Sequence, residues 1–177
     1  MRVRTDVMFF ANADAIRVVP GFSETIIPVE WVVDKRSPAK TRETLRLAGE
    51  AFEQEKCIVI FPSGKLAKMM DGKLTEQDWF STATALARKK RAPIVPLNVT
   101  ARNSSLYYFL SRVNNELRDI TLFKELVNKK GARFDMTVGP LIRSEGLAGV
   151  DAGEVTEKLR DYVSYTLLET PNLAFKF

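Results

Sequence analysis

Five residues, Cys57-Ile-Val-Ile-Phe61, form an uninterrupted apolar run that starts after Lys56 and stops at Pro62-Ser63-Gly64, with Lys65 and Lys68 close behind. A run this short, bounded by charge on one side and turn residues on the other, reads as a buried strand rather than a helix. Gly64 allows the backbone to reverse and to approach a ligand closely, and Lys65 and Lys68 supply point charges for an anion. The chain therefore brings a tight basic loop to the end of a buried element. Cys57, the one cysteine, reads as a buried small hydrophobe rather than a nucleophile. It leaves no partner for an internal disulfide, which fits a reducing compartment.

The rest of the chain alternates such runs with helical periodicity. Residues 7–11 and 25–33 read as strands, the second with Pro28 marking an edge or a bulge, and residues 14–19 as a helix stopped by Pro20-Gly21. A helix is predicted over residues 37–55, with Ser37 as cap, Pro38 in the first turn, and Leu45, Ala48, Ala51 and Phe52 on one face. Asp71-Gly72 marks a turn, and Thr75-Glu-Gln-Asp78 has the form of a capping box opening a helix through Lys90, with Trp79, Phe80, Ala83, Leu86 and Ala87 as its stripe. Arg88-Lys-Lys-Arg91 then lies at a helix C-terminus, where the macrodipole favours positive charge. Residues 94–99 read as a strand, 104–117 as a helix with Leu106, Leu110, Val113 and Leu117 in register, and 121–130 as a shorter helix closed by Gly131. A half-buried strand at 133–138 and an amphipathic helix at 154–168 complete the pattern.

Strands separated by helices predict an α/β fold with a central, largely parallel or mixed sheet flanked by helices. A single domain is expected over residues 1–169, followed by an irregular tail at 170–177. In such a sheet the ligand lies at the C-terminal ends of the strands, which places residues 62–68 and 100–105 in one neighbourhood.

Composition narrows the function. The chain has 177 residues, with 27 Lys and Arg against 22 Asp and Glu, a net +5 that favours anionic partners such as a phosphate or an acidic lipid surface. No run reaches the length needed to span a bilayer, and no signal peptide opens the chain, so any contact with a membrane is with its surface. The absence of histidine, with a single cysteine, argues against metal ligation, and Ser63, Ser104 and Ser105 have no imidazole partner for hydrolase chemistry. Asp14, Asp34, Asp71 and Asp78 each fall at a helix start, turn or cap, where structure explains them. Tyr107, Tyr108 and Phe109 beside Arg102 invite a nucleic-acid reading, but three consecutive helical aromatics point in different directions, so at least one belongs to the core. Arg102 and Asn103, between a strand and a helix start, suit a phosphate better.

The segment 57–67, read with Pro93-Ile-Val-Pro-Leu97, resembles the third and fourth sequence blocks of the glycerolipid and lysophospholipid acyltransferase family. Phe61, Pro62 and Gly64 match the third block, Ser63 stands where glutamate is commonest, and Lys65 where threonine is usual. A subgroup with a small residue at the glutamate position, related to bacterial ornithine-lipid and haemolysin-like acyltransferases, is more similar still. Gly21-Phe22 and Ile26-Ile-Pro-Val-Glu30 resemble the second block, with Glu30, then Lys35 and Arg36, where relatives carry a basic residue. Arg102-Asn-Ser-Ser105, Leu126-Val-Asn-Lys-Lys-Gly131 and Val138-Gly-Pro-Leu-Ile142 continue the order, so the resemblance covers about residues 5–142.

The resemblance implies transfer of a fatty acyl group to a lysophospholipid or glycerol-phosphate-like hydroxyl. Acyl-CoA or acyl-acyl carrier protein would be the co-substrate, with no other cofactor. It implies a substrate- and phosphate-binding set of Phe61, Pro62, Ser63, Gly64, Lys65, Lys68, Arg102 and Asn103. The setting would be an anionic surface at the cytoplasmic face of the membrane, without nucleic acid. The family's first block, Asn-His, four residues and Asp, supplies the general base and its orienting carboxylate. It has no counterpart here, and the resemblance places it before Met1. A chain that begins late, a chain that has lost the motif and binds without catalysing, and deliberate engineering all remain open. The first is favoured because residues 7–11 read as an interior strand. The expectation is that residues 1–177 alone have little or no activity.

Overall fold

The computed structural model describes residues 4–30, 37–147 and 149–177, and the chain divides into two compact units, Met1–Gly64 and Lys65–Phe177. The architecture is mixed α/β, with a small parallel sheet flanked by helices in the first unit.

That sheet has three strands in the order β2-β1-β3, with β1 at Val7–Asn12, β2 at Ile26–Val29 and β3 at Cys57–Val59. Both neighbours run parallel to β1, in registers that pair Phe9 with Ile26 and Val7 with Cys57. A short helix α1 (Asp14–Val18) and a 3-10 turn (Pro20–Glu24) connect β1 to β2. Residues 31–36, including the end of the strand expected at 25–33 and Asp34, Lys35 and Arg36, lie outside the described residues.

Helix α2 (Pro38–Glu53) starts as its sequence predicts, with the Ser37 hydroxyl accepting from the Lys40 N–H at 3.3 Å and Pro38 in the first turn. Its inner face differs from the expected one. Ala48 and Ala51 are buried, but Leu45 is 56% exposed, and the third inward position is Thr44, whose hydroxyl donates to the Pro28 carbonyl at 2.6 Å. Positions 44, 48 and 51 form one helical line, and their small side chains let α2 approach β2 closely. Ile27 is fully buried in this unit, whereas Cys57, expected to be buried, is half-buried.

The second unit opens with an antiparallel hairpin, β4 (Lys68–Met70) and β5 (Lys73–Thr75). Asp71 and Gly72 have φ of 48° and 75°, the two left-handed residues of the hairpin turn whose twist matches its strands. This pairing claims Thr75 for β5, so the predicted capping box does not form and helix α3 begins at Thr82 (Thr82–Lys90). Asp78 instead pairs with Arg160 at 2.7 Å. In α3 the buried residues are Thr84 and Ala87, and the Thr84 hydroxyl lies 2.6 Å from that of Thr156. Phe80, expected in the apolar stripe, is exposed.

Strand β6 (Leu97–Thr100) pairs antiparallel with β7 (Asp135–Val138), and the helices between them are α4 (Ser105–Val113) and α5 (Asn115–Asn128). The helix predicted to run through Leu117 breaks earlier, at Asn114, whose backbone is extended. Its N–H donates to the Leu110 carbonyl at 2.9 Å, and its carbonyl accepts from Arg118 at 3.2 Å. One asparagine thus closes α4 and opens α5.

The core of this unit is built on α6 (Ala152–Asp161), the π turn Tyr162–Thr166 and α7 (Leu167–Glu169). Val155, Leu159, Val163 and Leu167 face inward, and Trp79, Ile94 and Phe175 pack against them. The tail after Thr170 has no helix or strand, yet it is tied down: Tyr162 Oη donates to the Leu173 carbonyl at 2.6 Å, and its ring meets Phe175 edge-on.

Gly139, just after β7, sits where a Cβ would lie 2.9 Å from both Leu167 Cδ1 and Pro96 Cγ. Gly139→Ala is expected to lower stability by about 1–3 kcal/mol through overpacking, read by urea denaturation. Gly146→Ala, with open space around the added methyl, should leave the midpoint nearly unchanged.

Candidate functional site

Parallel pairing puts the C-terminal ends of β1, β2 and β3 on one edge of the first unit's sheet. Each strand delivers a polar feature there. After β1, the Asn12 side chain accepts from the Asp14 N–H at 3.0 Å, and Asp14 pairs with Arg17 at 3.2 Å. After β2, the Glu30 carboxylate meets Lys40 Nζ at 2.8 Å, a lysine-bound acid.

After β3 comes the turn Phe61-Pro62-Ser63-Gly64. The Gly64 N–H donates to the Phe61 carbonyl at 2.9 Å, and Gly64 has φ of 59°, a conformation that an L side chain resists. Phe61 is 60% exposed, Pro62 and Gly64 are half-buried, and Ser63 is 3% exposed. A small hydroxyl residue suits that buried position. The turn thus buries its third residue and presents its aromatic ring to solvent.

Lys65, Lys68, Arg102 and Asn103 belong to the second unit. Lys65 and Lys68 are exposed, and Lys68 opens β4, which lies against α4. Arg102 is exposed between β6 and α4, and the Asn103 N–H donates to Tyr108 Oη at 3.2 Å. Of the three consecutive aromatics, Tyr107 is buried and Phe109 is 62% exposed, which agrees with the reading that at least one is core. A shallow depression of about 720 Å³ in this unit is lined by Arg88, Lys89 and Arg91 with Ser144 and Glu145. Its positive charge lies at the C-terminal end of α3, where the helix dipole accounts for it.

The N-terminus of α4 carries a feature that sequence reasoning missed. Glu125, buried on α5, accepts from the Ser104 N–H at 2.8 Å and from the Ser104 hydroxyl, while Lys129 Nζ approaches it at 3.4 Å. Burial pushes its carboxyl upward, but the two Ser104 donors and Lys129 outweigh that, and the carboxyl sits below its ordinary range. The N–H and hydroxyl of the capping Ser104 therefore already hold a carboxylate. The one sequence hint was the four-residue spacing from Glu125 to Lys129, a common surface pairing that gives no sign of burial.

Among the described residues no three His, Cys, Asp or Glu side chains converge as a metal site, and no helix is long and apolar enough to cross a membrane. The model of the family described as Acyltransferase matches residues 1–100, a span that includes the whole parallel sheet, the Phe61–Gly64 turn, Lys65 and Lys68. No curated protein matches the chain.

Replacing Glu125 by Ala strands the Ser104 donors and Lys129, and is expected to cost about 2–4 kcal/mol at neutral pH. Because the folded carboxyl lies below its unfolded value, its contribution is complete above the unfolded value, near pH 4–4.5, and fades as pH falls through the folded one. Urea titrations should accordingly show wild type and Glu125→Ala converging in acid.

Proposed function

Because the chain belongs to the acyltransferase family, we propose that it forms the acceptor-binding part of a glycerolipid acyltransferase of the ornithine-lipid and haemolysin-like subgroup. The substrates proposed are acyl-CoA or acyl-acyl carrier protein as donor and a lysophospholipid or glycerol-phosphate-like alcohol as acceptor. Transfer would take place at the anionic, cytoplasmic face of a membrane. The observation that supports this reading most is the Phe61–Gly64 turn, set at the C-terminal edge of a parallel sheet and followed in sequence by Lys65 and Lys68. A left-handed glycine frees the backbone for close approach, the exposed Phe61 offers an apolar surface to a lipid, and the lysines neutralise a phosphate.

In this reaction the acceptor hydroxyl attacks the thioester carbonyl carbon, its proton passes to a base, and the thiolate leaves. The 177 residues contain no histidine, so we assign the base to residues outside them. In the first unit Phe61, Pro62, Ser63 and Gly64 would meet the acceptor through the turn; in the second, Lys65 and Lys68 would be its phosphate-binding candidates, with Arg102 and Asn103 as separate polar candidates. The same lack of histidine favours a second reading, a module that binds anionic lipid or phosphate without catalysis.

An acyl-transfer assay with lysophosphatidic acid and acyl-CoA is expected to show turnover by residues 1–177 some 10²- to 10⁴-fold below that of a family enzyme with an intact base. Substantial turnover that is lost in Lys65→Ala or Arg102→Ala would overturn the inactivity. Calorimetric titration in low salt should show lysophosphatidic acid binding weakened about tenfold in Lys65→Ala with Lys68→Ala, a difference that shrinks as salt screens the charges. Equal binding by wild type and the double variant would remove the lysines from the acceptor site.

A further inference from the structure

Helices α4 and α5 each turn several apolar side chains to solvent. On α4, Leu106, Phe109 and Val113 share one face and are 44%, 62% and 63% exposed, while the buried residue is Tyr107. On α5, Leu117, Ile120 and Val127 share one face, with Ile120 and Val127 each 72% exposed, while the buried residues among the described side chains are the polar Thr121 and Glu125. Those polar groups are satisfied internally, Thr121 by the Arg118 carbonyl at 2.6 Å and Glu125 by Ser104 and Lys129. A water-facing helix ordinarily does the opposite, with its apolar stripe on the core. Two helices in contact that each present several exposed apolar side chains mark a candidate interaction surface.

Basic residues interleave with it. Lys124 lies between Ile120 and Val127 on the same line of α5, Arg112 adjoins Phe109 and Val113 on α4, and both, like Lys130 beyond, are exposed. A second copy meeting this patch about a two-fold axis would set the patch against itself and bring its cations together in a drying interface. An anionic lipid surface accepts the apolar stripe and neutralises the same cations.

We propose that the exposed face of α4 and α5 is the surface by which this protein lies on an anionic bilayer. Leu106, Phe109, Val113, Ile120 and Val127 reach the acyl boundary, and Arg112, Lys124 and Lys130 lie against headgroup phosphates. The assignment rests on the acyltransferase reading in preferring lipid to a protein partner, while the outward stripes and their charges stand independently of it.

The test is sedimentation of the full chain with vesicles of equimolar phosphatidylcholine and phosphatidylglycerol, with circular dichroism confirming that each variant is folded. Wild type should bind these vesicles, less so in high salt, and bind pure phosphatidylcholine weakly. Phe109→Glu and Ile120→Glu should each lower the partition about tenfold. The pair Arg112→Glu with Lys124→Glu, which removes no apolar side chain, should also lower it. Met136→Glu, on the exposed side of β7 in the same unit, should not. Unchanged binding by the α4 and α5 variants, or an equal loss in Met136→Glu, would overturn the proposal. So would a dimer that Ile120→Glu dissociates while vesicle binding is absent. Partition is read without turnover, so a chain that binds vesicles in this pattern but whose lysophosphatidic acid binding is unchanged in Lys65→Ala with Lys68→Ala upholds the docking face while the acceptor-site reading falls.

Discussion

The parallel pairing of β1 with both β2 and β3 is the constraint on which the first unit depends. A strand in the middle of a parallel set cannot be joined to its neighbours by tight turns, so each connection must travel back along the sheet. The described connections do so through α1 with its 3-10 turn and through α2. The return journeys fix the direction of every strand and gather Asn12, Glu30 and the Phe61–Gly64 turn at one edge. If β3 ran the other way, its basic loop would leave from the opposite edge, beside Arg4, which hydrogen-bonds the Glu55 carbonyl. Topology, more than any one side chain, makes the turn a candidate site.

A second constraint operates where α4 meets α5, at a buried carboxylate. Ser104 must cap α4, its own N–H needs an acceptor, and the carboxylate that answers it comes from α5, twenty-one residues along the chain. Once Glu125 is committed to that position, helical geometry places Thr121 one turn back on the same inner line and turns Ile120 and Val127 to the opposite side. A helix that packed its leucines inward would leave Ser104 without this partner.

Local signals in the sequence were legible where a single mechanism acted. Ser37-Pro38 opened α2, Pro20-Gly21 ended α1, and the apolar run before Pro62 became β3, because capping, proline geometry and strand length are properties of neighbouring residues. Signals failed where two mechanisms competed for the same residues. Thr75 to Asp78 has the letters of a capping box, but Asp71-Gly72 closes a hairpin that pairs Thr75 with Lys68 first. The α2 stripe was misjudged by one position because Thr44 satisfies its hydroxyl on Pro28 and can lie inward, leaving Leu45 to solvent. Periodicity counts apolar letters and cannot register a threonine that has found a carbonyl.

The candidate site divides along the same line. Its turn was readable, since Pro62 and Gly64 announce a reversal and the lysines announce charge. The state of the α4 N-terminus was not, because a helix start that looks free to bind phosphate can be occupied by a carboxylate from a distant helix, and nothing near Ser104 in sequence records it. On the acceptor-binding reading, the Ser104 N–H and hydroxyl are already held by Glu125, so cationic side chains would carry more of the recognition of a phosphate there. Recognition of that kind tolerates many phosphate-bearing headgroups, because long lysine stems adapt their reach where a rigid ring of amide donors would not. Phe61, whose ring stands in solvent at the mouth of the turn, would on the same reading offer the apolar contact that distinguishes one acceptor from another.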